Sequence, residues 1–222
     1  MAILDTNSLV NTLDNINTSI LLGETISPQA SLEAARWIAS RQGGKGAYRG
    51  MFAPTEADFK QGIHVFTGET LTCASARHIM GEEAARAAWL LGEQDVEVRA
   101  AYERATAWMR VSAESFQDGT FCCGRCTLAF WRHYWVGDFG DKEALISRGV
   151  QTMKTQREED GKWRRYPFYY TIYTLQELDL EAARAELKYA QPAMERVLRT
   201  KREGSYSQRR KLILEKALGL IS

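Results

Sequence analysis

With 222 residues, the chain is long enough to bury a sizeable core as one domain or at most two. Hydrophobic residues make up 45% and charged residues 26%, and the net charge of +1 excludes an overall attraction to nucleic acid or anionic membranes. The N-terminal segment lacks the pattern of a signal peptide, and no apolar run approaches the roughly 18–20 residues that span a bilayer. We therefore expect a cytoplasmic protein without a membrane span.

Four prolines and long runs of helical periodicity predict an almost all-α protein. The first predicted helix is weak because it is rich in Asn and Thr, whereas Ser27 followed by Pro28 is typical of a helix start. In chain order, helices are predicted at 2–21, 28–41, 70–92, 95–113, 122–136, 141–156 and 167–178, from 179 and from 207, and Pro192 is predicted to begin or kink a helix.

Three segments of the chain end in the same pattern, in which a helix is followed by a glutamine and then by Gly-x-aromatic. The first position and the last aromatic are 11, 13 and 11 residues apart in the three copies. Such recurrence indicates one supersecondary unit, here a helical hairpin, that is used several times. The copies are Trp37–Tyr48 with Gln42, Trp108–Phe121 with Gln117, and Thr152–Trp163 with Gln156.

The first unit is longer than the others. Gly119 and Gly161 are 42 residues apart, whereas Gly46 and Gly119 are 73 apart, so the first unit holds an insertion of about 31 residues. Most of it lies in 49–68, which has little periodicity. Long loops in compact domains are usually functional or mobile, and we expect this one to cover one end of the helix array.

The repeated pattern resembles the QW motif of the terpenoid cyclase and protein prenyltransferase superfamily, over about residues 28–178. The first copy fits closely, the second has its glutamine late, and the third has Thr152 in the aromatic position. The resemblance implies an α/α toroid-like array of helical hairpins, incomplete or small, with about three to five hairpins. The whole of 1–222 would form this single domain, with 179–222 as C-terminal helices, and a homodimer could close the ring.

In a toroid of this kind, the residues after each Gly-x-aromatic turn open the inner helices and face the mouth of the cavity. Helix N-termini attract anions, and arginines beside them favour a phosphate. The resemblance therefore implies a site for an apolar or phosphate-bearing small molecule. Alternatively, the arginines pair with the acids of 158–160 and the aromatics belong to the core. The predicted ligand-binding residues are Arg125, Arg164, Arg165, Tyr166, Tyr169 and Tyr170.

Four cysteines fit a reducing compartment as thiols, and two of them suggest a metal site. Cys122 and Cys126 are one helical turn apart, which suits two ligands on one ion, and Cys73 or His78 could add a third. Zinc is borne by the prenyltransferases, although their Asp-x-Cys motif is absent from this chain. Two alternatives are small thiols packed between helices and an activated thiol nucleophile.

The function hypotheses at this point come from different classes. The first is a small-molecule site, with or without catalysis, at the inner-helix ends, and the second is a non-enzymatic scaffold that kept the fold and lost the catalytic motifs. A third, carbohydrate binding, needs paired carboxylates, but the one acidic cluster lies in a turn. The basic tail at 196–216 could meet nucleic acid, but a solvated helix face explains it better.

Overall fold

A computed structural model describes residues 2–72, 74–111, 116–200 and 203–222, and it confirms the all-α class. Two short antiparallel strands, β1 (Ile63–His64) and β2 (Thr70–Leu71), accompany the helices. No described helix is both long enough and apolar enough to cross a membrane. The helices are α1 (Leu9–Leu22), α2 (Pro28–Ser40), α3 (Glu56–Gln61), α4 (Ser75–Gly92), α5 (Val96–Val111), α6 (Gly124–Val136), α7 (Lys142–Lys154), α8 (Phe168–Leu175), α9 (Glu181–Arg199) and α10 (Ser207–Gly219).

The structure differs from the predicted elements at several points, among them the start of α1, which is Leu9 and not residue 2. The insertion at 49–68 is partly ordered, because it contains α3 and β1, and β2 occupies the start of the helix predicted at 70–92. Pro192 lies inside α9 and does not begin a new helix. Because Pro192 has no backbone N–H, the carbonyl of Lys188 receives no helical hydrogen bond. Both residues are exposed, so water can donate to this carbonyl instead.

The chain divides into two compact units. The first unit comprises Met1–Phe66, Thr70–Ser115 and Val136–Asp138, and α4 lies at its centre, packed on α1, α2 and α5. Helix α4 is buried on most of its faces, and its alanines allow these neighbours to approach closely. Its buried polar residues include His78, whose Nε2 lies 2.9 Å from Oε1 of Glu82.

The second unit comprises Thr67–Glu69, Phe116–Trp135 and Phe139–Ser222. Helix α9 packs on α7, α8 and α10, and α10 also packs on α8. Trp131 of α6 donates its indole N–H to the carbonyl of Gly119 at 2.7 Å. The single toroid-like domain inferred from the resemblance stays a prediction.

The glutamines of the first and third repeats bind the turns that follow them. Gln42 donates to the carbonyl of Gly50 at 2.8 Å, and Gln156 accepts from the Arg164 guanidinium at 3.3 and 3.4 Å. The indole of Trp163, the last aromatic of the third repeat, donates to Glu186 of α9 at 2.8 Å. These turns therefore have structural roles within their own units.

Candidate thiol site

The start of α6 places a cysteine sulfur where a helix usually has a capping oxygen. Cys123 precedes the first helical residue, Gly124, and its carbonyl accepts a hydrogen bond from the amide of Thr127 at 2.9 Å. Its Sγ accepts from the amide of Cys126 at 3.5 Å. Cys123 is thus the N-cap of α6, and its sulfur receives one of the amide donors that the first turn leaves without helical partners.

Three thiols converge at this helix end. The sulfur atoms of Cys122, Cys123 and Cys126 all lie within 4.8 Å of one another. Cys122 and Cys123 are exposed, whereas Cys126 is fully buried. Within the described part of the chain, they form the one cluster of His, Cys, Asp and Glu ligand atoms close enough to share an ion.

The two cysteines of the first helical turn differ in their acidity. A hydrogen bond from the Cys126 thiol, supported by the Cys122 thiol and the amides of Cys126 and Arg125, lowers the pKa of Cys123 to about 5, although desolvation of its sulfur acts in the opposite direction. The pKa of Cys126 is raised, because its proton is held in the bond to Cys123 and because burial disfavours its thiolate. The site therefore combines an exposed thiolate at neutral pH with a buried, protonated thiol.

The turn after Trp163 packs tightly on this helix start. A Cβ added to Gly124 would collide with the carbonyl oxygen of Arg165, so the close approach requires glycine. Arg165 has φ +74°, a conformation that is uncommon for a residue other than glycine. Strained backbone of this kind is often found at functional sites, where the surrounding structure holds it in place.

Tyr166 completes the surroundings of the thiols. Burial raises the pKa of its phenol, and the negative charge of the nearby Cys123 thiolate adds to this effect. The phenol also shares a hydrogen bond with the hydroxyl of Thr127, which in turn accepts from the amide of Phe121 at 2.9 Å. Tyr166 is therefore an uncharged phenol that connects the Arg165 turn to the first turn of α6.

The structure brings together some of the predicted ligand-binding residues and separates others from them. Arg125 belongs to the first turn of α6. Arg165 and Tyr166 pack on the same turn, against Gly124. Arg164 is exposed and bonds Gln156. Tyr169 lines a cavity that none of the three clustered cysteines lines, and Tyr170 is fully buried in the core. Binding of an apolar or phosphate-bearing molecule by these residues stays a prediction.

The predicted metal ligands are likewise divided. Cys122 and Cys126 lie together as expected, and Cys73 lies outside the described residues. His78 belongs to the first unit, where it packs against Tyr48 with ring centroids 4.7 Å apart. A metal-binding role for Cys73 or His78 stays a prediction.

The sequence prediction missed Cys123, although a signal for it was present. Cys123-Gly124-Arg125-Cys126 is a Cys-x-x-Cys motif, and such a motif at a helix start is typical of reactive dithiols. The predicted helix starts at 122, two residues before α6 does, and that boundary favours Cys122 and Cys126 as the pair one turn apart. The N-cap role of Cys123 depends on the true helix boundary.

Comparisons with models of known protein families, with curated proteins and with solved structures found no significant match.

Proposed function

We propose that the start of α6 is a thiol–disulfide exchange site, in which Cys123 is the nucleophile and Cys126 is the resolving thiol. The observation that supports this most is the pairing of an exposed N-cap cysteine with a buried cysteine three residues later that is hydrogen-bonded to it. Residues three apart in a helix are neighbours, so their sulfurs can approach to form a bond after side-chain rotation.

In the first step, the Cys123 thiolate attacks one sulfur of a substrate disulfide. A bond forms between Cys123 Sγ and that sulfur, the substrate S–S bond breaks, and the other substrate sulfur leaves as a thiolate that takes a proton from solvent. Because its pKa is lowered well below that of an ordinary thiol, Cys123 is mainly a thiolate at pH 7. Exposure of Cys123 allows the substrate disulfide to reach it.

In the second step, Cys126 resolves the mixed disulfide. Its sulfur attacks Cys123 Sγ, its proton passes to the departing substrate thiolate, and a Cys123–Cys126 disulfide remains. The protein dithiol has then lost two electrons and the substrate disulfide has gained them. Burial protects Cys126 from reacting directly with solutes, so each exchange begins at Cys123.

The hydrogen bonds to Cys123 also set the direction in which exchange is favoured. They stabilise the thiolate of the reduced form and are weakened when its sulfur joins a disulfide. A low-pKa thiolate is also a good leaving group. We therefore expect the disulfide form to be a better oxidant than an ordinary protein disulfide.

The order of the two steps can be tested by trapping the mixed disulfide. We expect Cys126→Ser, treated with oxidised glutathione, to stop at a glutathione adduct on Cys123, read by intact-mass and peptide mass spectrometry. Cys123→Ser should form no adduct at Cys126, and Cys122→Ser should still form the internal disulfide. An adduct that appears first on Cys126 or Cys122 would contradict the proposed roles.

A second candidate function is zinc binding, which the three clustered sulfurs favour. Thiolates are preferred zinc ligands, and three of them would leave a fourth position for water or substrate. The two functions are distinguished by Cys122, which a zinc site needs and the dithiol mechanism does not. Stoichiometric zinc in the wild type that is lost in Cys122→Ser would favour the metal site, and a zinc-free protein with intact exchange would favour the dithiol.

A further inference from the structure

The second unit contains a cavity of about 770 Å³ that the thiol chemistry does not use. It lies between the start of α8, the end of α9, residues 203–206 and helix α10. This volume lies within the 300–1,000 Å³ range of small-molecule pockets. The cavity can therefore hold a ligand much larger than a single ion or a few waters.

Most of the cavity wall is apolar. Val197 and Leu198 of α9, Leu214 of α10 and the ring of Tyr169 contribute to it. Removing an apolar ligand surface from water against such a wall is favourable. The wall therefore suits the hydrocarbon part of a ligand.

Arg210 provides a positioned charge on this wall. Its Nε donates to the carbonyl of Thr67 at 2.7 Å, and its guanidinium carbon lies 4.5 Å from the ring centroid of Tyr169. These two contacts hold the side chain in one orientation. A guanidinium carries five N–H donors, of which the bond to Thr67 uses one, and its fork geometry matches a carboxylate bidentately.

The remaining charges favour a ligand with one negative charge. Lys211 lines the cavity, but its ammonium also lies 3.7 Å from Oε1 of Glu215. Glu203 lines the cavity as well, so Arg210, Lys211 and Glu203 together give the lining one net positive charge. A single carboxylate meets less repulsion here than a dianionic phosphate would.

We propose that this cavity binds a small molecule with an apolar body and one carboxylate, of the kind represented by a medium-chain fatty acid. The carboxylate pairs with Arg210, and the hydrocarbon chain lies along Val197, Leu198 and Leu214. This binding is independent of the exchange reaction, because neither cysteine of the dithiol lines the cavity.

The test is calorimetric titration of the reduced full chain with decanoate. Decanoate should bind saturably in a one-to-one complex, and 1-decanol, which has the same chain without the charge, should bind at least about tenfold more weakly. Inorganic phosphate alone should show no saturable binding. Decyl phosphate has the same chain with a phosphate as its head group, and we expect it to bind no more tightly than decanoate.

Two variants locate the binding site. Arg210→Gln should weaken decanoate binding about tenfold to hundredfold, as expected for a lost charged hydrogen bond, whereas Arg199→Gln, at an exposed arginine of α9 outside the cavity, should change it less than about twofold. If Arg210→Gln is poorly folded by circular dichroism, Val197→Trp adds bulk to the wall that the hydrocarbon chain contacts, without removing the charge, and should weaken binding.

Several outcomes would overturn the proposal. Wild-type protein that shows no saturable decanoate binding has no such site, and equal weakening by Arg199→Gln would mean non-specific attraction to basic surface. Unchanged binding in Val197→Trp would place the ligand elsewhere. If decyl phosphate or inorganic phosphate binds tenfold more tightly than decanoate, the site prefers a phosphate, and the proposed carboxylate ligand is wrong.

Discussion

At the residue scale, the chemistry of Cys123 depends mainly on the Cys126 thiol, which is the largest cause of its lowered pKa. Below about pH 5 the Cys123 sulfur is protonated and unreactive, and above it the thiolate accumulates. The rate of alkylation by iodoacetamide should therefore rise with a midpoint near pH 5 and be level by pH 7.

Cys126→Ala removes that hydrogen-bond donor, so we expect the midpoint of the alkylation profile to move upward by at least about one pH unit. The measurement is alkylation of Cys123 against pH, with the modified residue identified by mass spectrometry. Cys122→Ala removes a smaller contribution and should move the midpoint less. A wild-type profile still rising between pH 8 and 9, as for an ordinary thiol, would show that Cys123 is not activated.

Gly124 is the residue that allows the Arg165 turn to approach the thiols. A methyl group at this position would collide with the Arg165 carbonyl, so Gly124→Ala should lower the free energy of unfolding by roughly 1–3 kcal/mol and slow Cys123 alkylation. Urea unfolding measures the first effect. Gly219→Ala is the matched control, because nothing lies within 4 Å of its added Cβ, and it should cause no loss.

At the element scale, the third Gly-x-aromatic turn is attached to α9 through Glu186. This carboxylate, which is 2% exposed, accepts from Arg157 at 2.7 and 3.1 Å and from the Trp163 indole at 2.8 Å. Glu186→Gln removes the charge from this network. We expect a loss of roughly 1–3 kcal/mol in the free energy of unfolding, measured by urea denaturation.

Glu195→Gln, on the same helix, is the control for this substitution. Glu195 is 40% exposed and pairs with Arg199 at 3.6 Å, so its loss should cost less than about 1 kcal/mol. Equal effects of the two substitutions would mean that the turn is not held by Glu186.

The sequence predicted most helices because their periodicity and caps are local. Ser27, for example, accepts from the amide of Ala30 at 3.3 Å, as the Ser-Pro start suggested. The order within 49–68 was not predicted, because Asp58 of α3 is held by non-local contacts with the start of α1, including the amide of Leu9 at 3.0 Å. The thiol site was predicted in part. The sequence places Cys122 and Cys126 close together, but it does not show that α6 begins at Gly124, which makes Cys123 the N-cap.

At the scale of the whole molecule, the all-α class followed from composition and periodicity, whereas the packing of the helices depends on contacts that are distant in sequence. The resemblance predicts a single domain, whereas the chain divides into two compact units, and cooperative unfolding tests whether these units form one domain. A single domain requires one calorimetric unfolding transition whose calorimetric and van't Hoff enthalpies agree. Two separable transitions would show that the units unfold independently.

The most direct test of the proposed function is a redox titration of the full chain in glutathione buffers. The states of Cys123 and Cys126 would be read by mass spectrometry after acid quenching and alkylation. Our account predicts one two-electron transition that forms the Cys123–Cys126 disulfide, in wild type and Cys122→Ser alike, with a midpoint above about −230 mV. Failure of these two cysteines to form a disulfide, even in fully oxidised glutathione, would contradict it.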